Sequence, residues 1–166
     1  MKILIIGSVA SGKTTLSKKL SKKINIKRYE IDLIVHDDKN NYKRTYQEQL
    51  DIIKNINKNK DWIIEGTLRN NLDILLEMSD KIIWINNKKI VRDFRIITRF
   101  IKQKLKIEKS YYKSNLKMLK SMFKWNREFN KIKFQKRIKK YKDKLIILNN
   151  NKDINKFLKE EKYYET

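Results

Sequence analysis

The sequence predicts an α/β fold of three layers, with a five-stranded parallel sheet between helices. Three observations carry this expectation. Five apolar runs of strand length recur along the 166 residues, amphipathic helical patterns separate them, and no hairpin signal joins any two. Such alternation calls for right-handed crossovers, which set helices on both faces of the sheet and bring the first strand near its middle.

The first run, KILII at residues 2 to 6, is continuously apolar, as befits a strand buried on both faces. In TTLSKKLSKKI, Leu16, Leu20 and Ile24 share one helix face, and RYEI at 28 to 31 reads as the second strand. YQEQLDIIKNI carries Leu50, Ile53 and Ile56 on a second helix, WIIE at 62 to 65 is the third strand, and LDILLEM is a short amphipathic piece. KIIWI at 81 to 85 is the fourth strand and KLIIL at 144 to 148 the fifth. Their separation is too long for a simple crossover. Residues 88–143 therefore read as a helical insertion, a lid and basic helical segment within a single domain spanning 1–166. Ile90, Val91, Phe94, Ile97, Ile101 and Leu105 form one stripe, and Leu116, Leu119, Met122 and Phe123 begin another. Phe129, Ile132 and Phe134 follow, giving two or three helices with a mobile turn near 106–114. Aromatic residues on these stripes, Trp125 included, are expected in the core. The closing KEEKYYET is expected to fray.

The chain has no cysteine, which excludes disulfides, thiolate metal sites and cysteine nucleophiles. No run approaches the roughly 18 apolar residues needed to cross a bilayer, so no membrane association is expected and the cytoplasm is the expected location. The formal charge is +23, and residues 88 to 144 hold 22 Lys or Arg against four Asp or Glu. Charge of this sign suits a polyanion partner such as nucleic acid, bound nonspecifically, or an anionic membrane surface. Compositional bias toward Lys, Asn, Ile and Tyr, whose codons are all rich in A and T, explains the excess as well.

Directly after the first strand, Gly7, Ser8, Val9, Ala10, Ser11, Gly12, Lys13 and Thr14 satisfy G-x-x-x-x-G-K-[ST], with a helix following. Glycines and small residues let consecutive amides wrap a phosphate, and the helix adds its positive end. Lys13 is expected to reach the β and γ phosphates of ATP, and Thr14 to hold Mg²⁺. Gly7, Ser8, Ala10, Ser11, Gly12, Lys13, Thr14 and Thr15 form the expected nucleotide-binding set.

This motif, together with YEID, DWIIEGTLRNNLDILLEMSDKIIWIN and KLIILNNNKDINKFL, resembles the adenylate-kinase-related P-loop proteins of the topology-modulation type. The resemblance implies a nucleoside-monophosphate-kinase-like fold with sheet order 2-3-1-4-5, an acceptor site beside the loop, and a helical lid. Where such kinases carry a proline- and glycine-containing lid loop and an Asp ending the fourth strand, this chain has KQKLKIEKSYYKSNLKM and Asn86.

Phosphoryl transfer asks for positioning and positive charge around the transferring group. Arg92, Arg95 and Arg99 share one helix face, and Arg95 and Arg99 are the expected catalytic clamp beside Lys13. Asp32, after the second strand, either holds Mg²⁺ through water or binds the acceptor, where it is the candidate general base for a hydroxyl, or else caps a helix. Glu65 either holds Mg²⁺ through water or binds the acceptor, and Gly66 either admits the acceptor or makes a turn. Arg69 pairs with an acidic acceptor group or a surface carboxylate; Arg44 is a weaker candidate. His36 reads as a loop or helix-start residue, and Asn149, Asn150 and Asn151 as turn residues or the border of an adenine site. The expected activity is transfer of the γ-phosphoryl of MgATP to a small-molecule acceptor. The alternatives are a nucleotide-dependent nucleic-acid-binding protein, in DNA topology modulation or as a polynucleotide-end kinase, and a nonenzymatic nucleotide sensor. No Walker-B Asp follows a long apolar strand, which argues against a helicase or transporter motor. Oligomeric state leaves no signature.

Overall fold

A computed structural model describes residues 1–37, 40–105, 107, 115–129 and 131–161. Five parallel strands form the sheet: β1 (Lys2–Gly7), β2 (Arg28–Glu30), β5 (Trp62–Gly66), β6 (Lys81–Ile85) and β7 (Leu145–Leu148). They lie in the order β2-β5-β1-β6-β7. The order over all strands is thus 2-5-1-6-7 and differs from the expected 2-3-1-4-5 through numbering. A small hairpin of β3 (His36–Asp37) and β4 (Tyr42–Lys43) intervenes, and leaving it out restores the expected sequence. The hairpin itself corrects the reading of His36, an exposed strand residue. Asn41, at φ 51°, makes the left-handed turn that a side chain other than Gly rarely tolerates.

Alternation along the strands sorts the core into two layers. Leu4, Ile6, Trp62, Ile64, Ile82 and Trp84 face one side, and Ile3, Ile5, Ile63, Ile83 and Ile85 the other. The second side is covered by α1 (Lys13–Ile24) and α8 (Asn151–Glu160), through Leu16, Leu20, Ile24 and Phe157. The first is covered by α2 (Ile31–Val35), α3 (Tyr46–Asn57), α4 (Ile74–Met78) and α7 (Lys131–Ile138). Helix α3 starts in a full capping box, with Thr45 accepting from the Glu48 amide and Glu48 accepting from the Thr45 amide.

Between β6 and β7 run α5 (Lys89–Lys104), α6 (Leu116–Glu128), α7 and a 3₁₀ turn at Lys139–Lys144. The turn expected near 106–114 lies outside the described residues, except Ile107. Three expectations need correction. RYEI is not all strand: Ile31 begins α2, because its side chain is drawn into the core. Trp125 and most of the α5 stripe are exposed, whereas Met122, Phe129 and Phe134 do join or contact buried structure. Of KEEKYYET, Lys159 and Glu160 end α8 and Glu161 is buried and paired with Lys81, while 162–166 lie outside the described residues. Among the described residues no helix is long and apolar enough to cross a membrane.

Strand β5 delivers Gly66 against α2, where an added Cβ would stand 2.6 Å from the Cβ of Ile31. The turn that follows β5 and leads to Arg69 depends on this close approach. Gly66→Ala is expected to lower the unfolding free energy by about 2 kcal/mol, read from urea denaturation, because overpacking forces the two elements apart.

Candidate functional site

The residues 8–12 leave the sheet where β1 runs between β5 and β6, so the loop opens at the carboxyl edge of the strands. Two backbone features shape it. An added Cβ on Gly7 would sit 2.8 Å from the Ile85 carbonyl oxygen, and Gly12 holds φ 102° with Arg95 3.2 Å from the place its Cβ would take. Ala10 also takes a left-handed φ of 56°. The loop is therefore tightly wound, with the Ser11 amide donating to the Ser8 carbonyl at 3.4 Å and Ser8 and Ser11 both buried.

Lys13, the first residue of α1, folds back so that its ammonium donates to the Ser8 carbonyl at 2.7 Å. Its pKa is lowered, chiefly because burial disfavours the charge and further by the Arg99 guanidinium, while Glu65 and Asp32 oppose the shift. The ammonium is buried in the loop, with Glu65 and Asp32 near enough for their charges to act on it. Next to it Thr14 donates its hydroxyl to Glu65 Oε1 at 2.6 Å. Glu65 is almost fully buried, and burial raises its pKa despite the Thr14 hydrogen bond and the charges of Lys13 and Arg28. The guanidinium of Arg28 lies 3.4 Å from the same oxygen and 2.8 Å from Glu30. Parallel pairing of β2 with β5 sets Glu30 opposite Glu65, which explains why an arginine must stand between them.

The Ser11 carbonyl is the hub of a second set of contacts. It accepts from Asn87 Nδ2 and from an Arg95 nitrogen, each at 2.7 Å. Arg95 also donates to Asn151 at 2.9 Å, linking α5, the loop and the start of α8. Arg92, which shares the helix face of Arg95 and Arg99, is buried and committed elsewhere: it donates to the Asn87 carbonyl at 2.7 Å and to Asn126 of α6 at 2.6 Å. Arg92 thus positions Asn87. Arg99 is close enough for its charge to act on Lys13.

At the acceptor edge, Asp32 lies in the first turn of α2 and accepts from Arg69 at 2.9 Å, both side chains well exposed. Its side chain makes no helix cap. The Arg69 carbonyl is held by Arg137 of α7, which also pairs with Asp73 at 2.7 Å. Thr67 donates to the Gly7 carbonyl at 3.3 Å, tying this turn to the loop. Gly66 packs on Ile31, so its lack of a side chain is spent on packing. Arg44 holds the Leu33 and His36 carbonyls and Asp37, a structural role at the hairpin. Asn150 caps α8, accepting from two amides, and Asn149 accepts from Asn86. Thr15 is exposed on the first turn of α1. Sequence reasoning missed Arg28, Asn87, Asn126 and Arg137, each of which acts through at least one partner more than thirty residues away.

No family model matches the chain, and no curated protein sequence matches it. Solved structures do. An uncharacterized protein from Eubacterium ventriosum is 18% identical over 96% of this chain and 94% of that chain, with a TM-score of 0.56. Shikimate kinase from Bacteroides thetaiotaomicron is 15% identical over 96% and 94%, with a TM-score of 0.54. A gluconokinase from Sinorhizobium meliloti is 11% identical over 95% and 87%, with a TM-score of 0.52. At these identities the likeness shows the fold alone, one that this chain shares with those two kinases.

Glu65 gives the site a pH signature. With its folded pKa above the ordinary 4.5, the native state keeps a proton that the unfolded chain releases, so stability falls as pH rises from 4.5 through the raised value. Glu65→Gln keeps an acceptor for Thr14 and removes that titration. Denaturation across this window is expected to show a flatter profile for Glu65→Gln, and higher stability than the parent above it.

Proposed function

We propose that this chain is a magnesium- and ATP-dependent phosphotransferase of the nucleoside-monophosphate-kinase-like class, acting on a small-molecule acceptor. The observation that carries the reading is the buried Lys13 ammonium folded back onto the Ser8 carbonyl of the loop, with Thr14 hydrogen-bonded to Glu65 beside it. A buried cation at a helix N-terminus is a site prepared for a polyanion. The likeness to kinases in fold agrees with it.

In this reading the amides of residues 8 to 14 bind the donor's phosphates, and Lys13 exchanges the Ser8 carbonyl for phosphate oxygens. Arg95 is already pinned to the loop by Ser11 and Asn151, so its fork enters the site preoriented. Arg99 adds charge on the same helix face. The Thr14 hydroxyl and the Glu65 carboxylate offer adjacent hard oxygens, the donor chemistry Mg²⁺ prefers. Thr14 would ligate the ion directly and Glu65 directly or through water. When bound, Mg²⁺ offsets the charge of the β and γ phosphates.

Asp32 and Arg69 divide the acceptor's recognition. The Asp32 carboxylate accepts the proton of an attacking hydroxyl once Arg69 turns to an anionic group of the acceptor. Both side chains are exposed, so the exchange costs little burial. The donor site is thereby built from rigid elements and the acceptor site from a surface pair.

The test is coupled ADP release across nucleoside monophosphates, nucleosides, hydroxy acids and polynucleotide 5′ ends, with Lys13→Ala as the blank. One class is expected to raise turnover at least about a hundredfold above that blank. If none does, and ATP still binds, the chain is a nucleotide sensor and this reading fails.

A further inference from the structure

Helix α5 is built inside out. The residues it turns inward are Arg92 and Ile96, both buried, followed by the half-buried Arg99 and Gln103. Ile90, Phe94, Ile97, Ile101 and Leu105 point to solvent, at exposures of 75%, 69%, 46%, 50% and 64%. They follow one another at intervals of four, three, four and four, so they form one straight apolar row about 23 Å long. A solvent-facing row of this length on an otherwise polar helix marks a surface that something covers.

Charge decides what covers it. Lys102 and Lys104 accompany the row on α5, and the one acid on that helix, Asp93, is already held by Lys89 and Asn126. The surrounding stretch from 88 to 144 has 22 basic against four acidic residues. A second copy would set two such segments against each other. Nucleic acid would meet the lysines but leave the apolar row uncovered. An anionic bilayer presents acyl chains beneath a layer of negative charge, and a convex helix with Ile and Phe on its crest and Lys around it meets both. Trp125 of α6, also half exposed, is the residue type that prefers such an interface.

We infer that the outer face of α5 docks on the surface of an anionic lipid bilayer. No span is involved, and the expectation of no membrane association, drawn from the lack of a spanning segment, does not address this mode. Docking would leave the loop open, since Arg92 and Arg95 reach toward Asn87 and Ser11 from the other side of the helix.

Co-sedimentation with phosphatidylcholine vesicles, with and without phosphatidylglycerol, at about 0.15 M salt tests this. The full chain is expected to bind only the vesicles containing phosphatidylglycerol. Phe94→Glu and, separately, Ile101→Glu should each weaken that binding at least about tenfold. Both positions are exposed, so the variants should keep the parent's circular dichroism and thermal midpoint; should one of them fail to fold, the other and the wild-type comparison decide. Three results overturn the inference. The parent fails to bind, which turns the row toward a protein partner; binding survives both substitutions, which reduces it to charge alone; or light scattering finds a dimer that Phe94→Glu separates.

Discussion

The structure turns on how tightly the chain leaves the centre of its sheet. Gly7 has no room for a side chain beside the Ile85 carbonyl, and five residues later Gly12 must take a positive φ under Arg95. Between these two points the backbone has to wind upon itself, and its carbonyls are claimed by side chains. Asn87 and Arg95 claim that of Ser11, Lys13 claims that of Ser8, and Thr67 claims that of Gly7. Elements far apart in sequence therefore share the task of fixing one short loop.

Electrostatics around the loop follows from the same crowding. Burial lowers the pKa of Lys13 and raises that of Glu65, two opposite charges that each oppose the other's shift. Neither is fully satisfied by the protein. Thr14 and Arg28 soften the position of Glu65 without removing the penalty of burial. In the proposed reading, a ligand that carries both a divalent cation and a polyanion, as magnesium-bound triphosphate does, would offset both penalties. By contrast, the Asp32–Arg69 pair is exposed and inexpensive to rearrange. For the phosphotransferase proposed above, a rigid donor site and a rearrangeable acceptor pair would suit a constant donor and an acceptor that is admitted and released.

Much of the architecture was legible because it is local. Continuous apolar runs marked the parallel strands, Leu16, Leu20 and Ile24 marked the face of α1, and glycine spacing marked the loop. What escaped was what folding brings together. Arg28 becomes significant only when parallel pairing sets Glu30 beside Glu65. Asn87, Asn126 and Arg137 look like surface residues until α5, α6 and α7 pack. The hairpin at 36–43 was signalled by Asn41, whose readiness for a left-handed φ was overlooked. On α5 the period of the apolar row was correct, but periodicity carries no sign: it shows that one face is apolar, not that this face turns inward. Arg92 and its partner Asn126 reversed it by taking the inner side.

The most direct measurement is calorimetric titration of ATP into the folded protein, with and without Mg²⁺. The account predicts saturable uptake at one site that strengthens with Mg²⁺ and is weakened at least about tenfold by Lys13→Ala. Folded protein that takes up no ATP in either condition would contradict it.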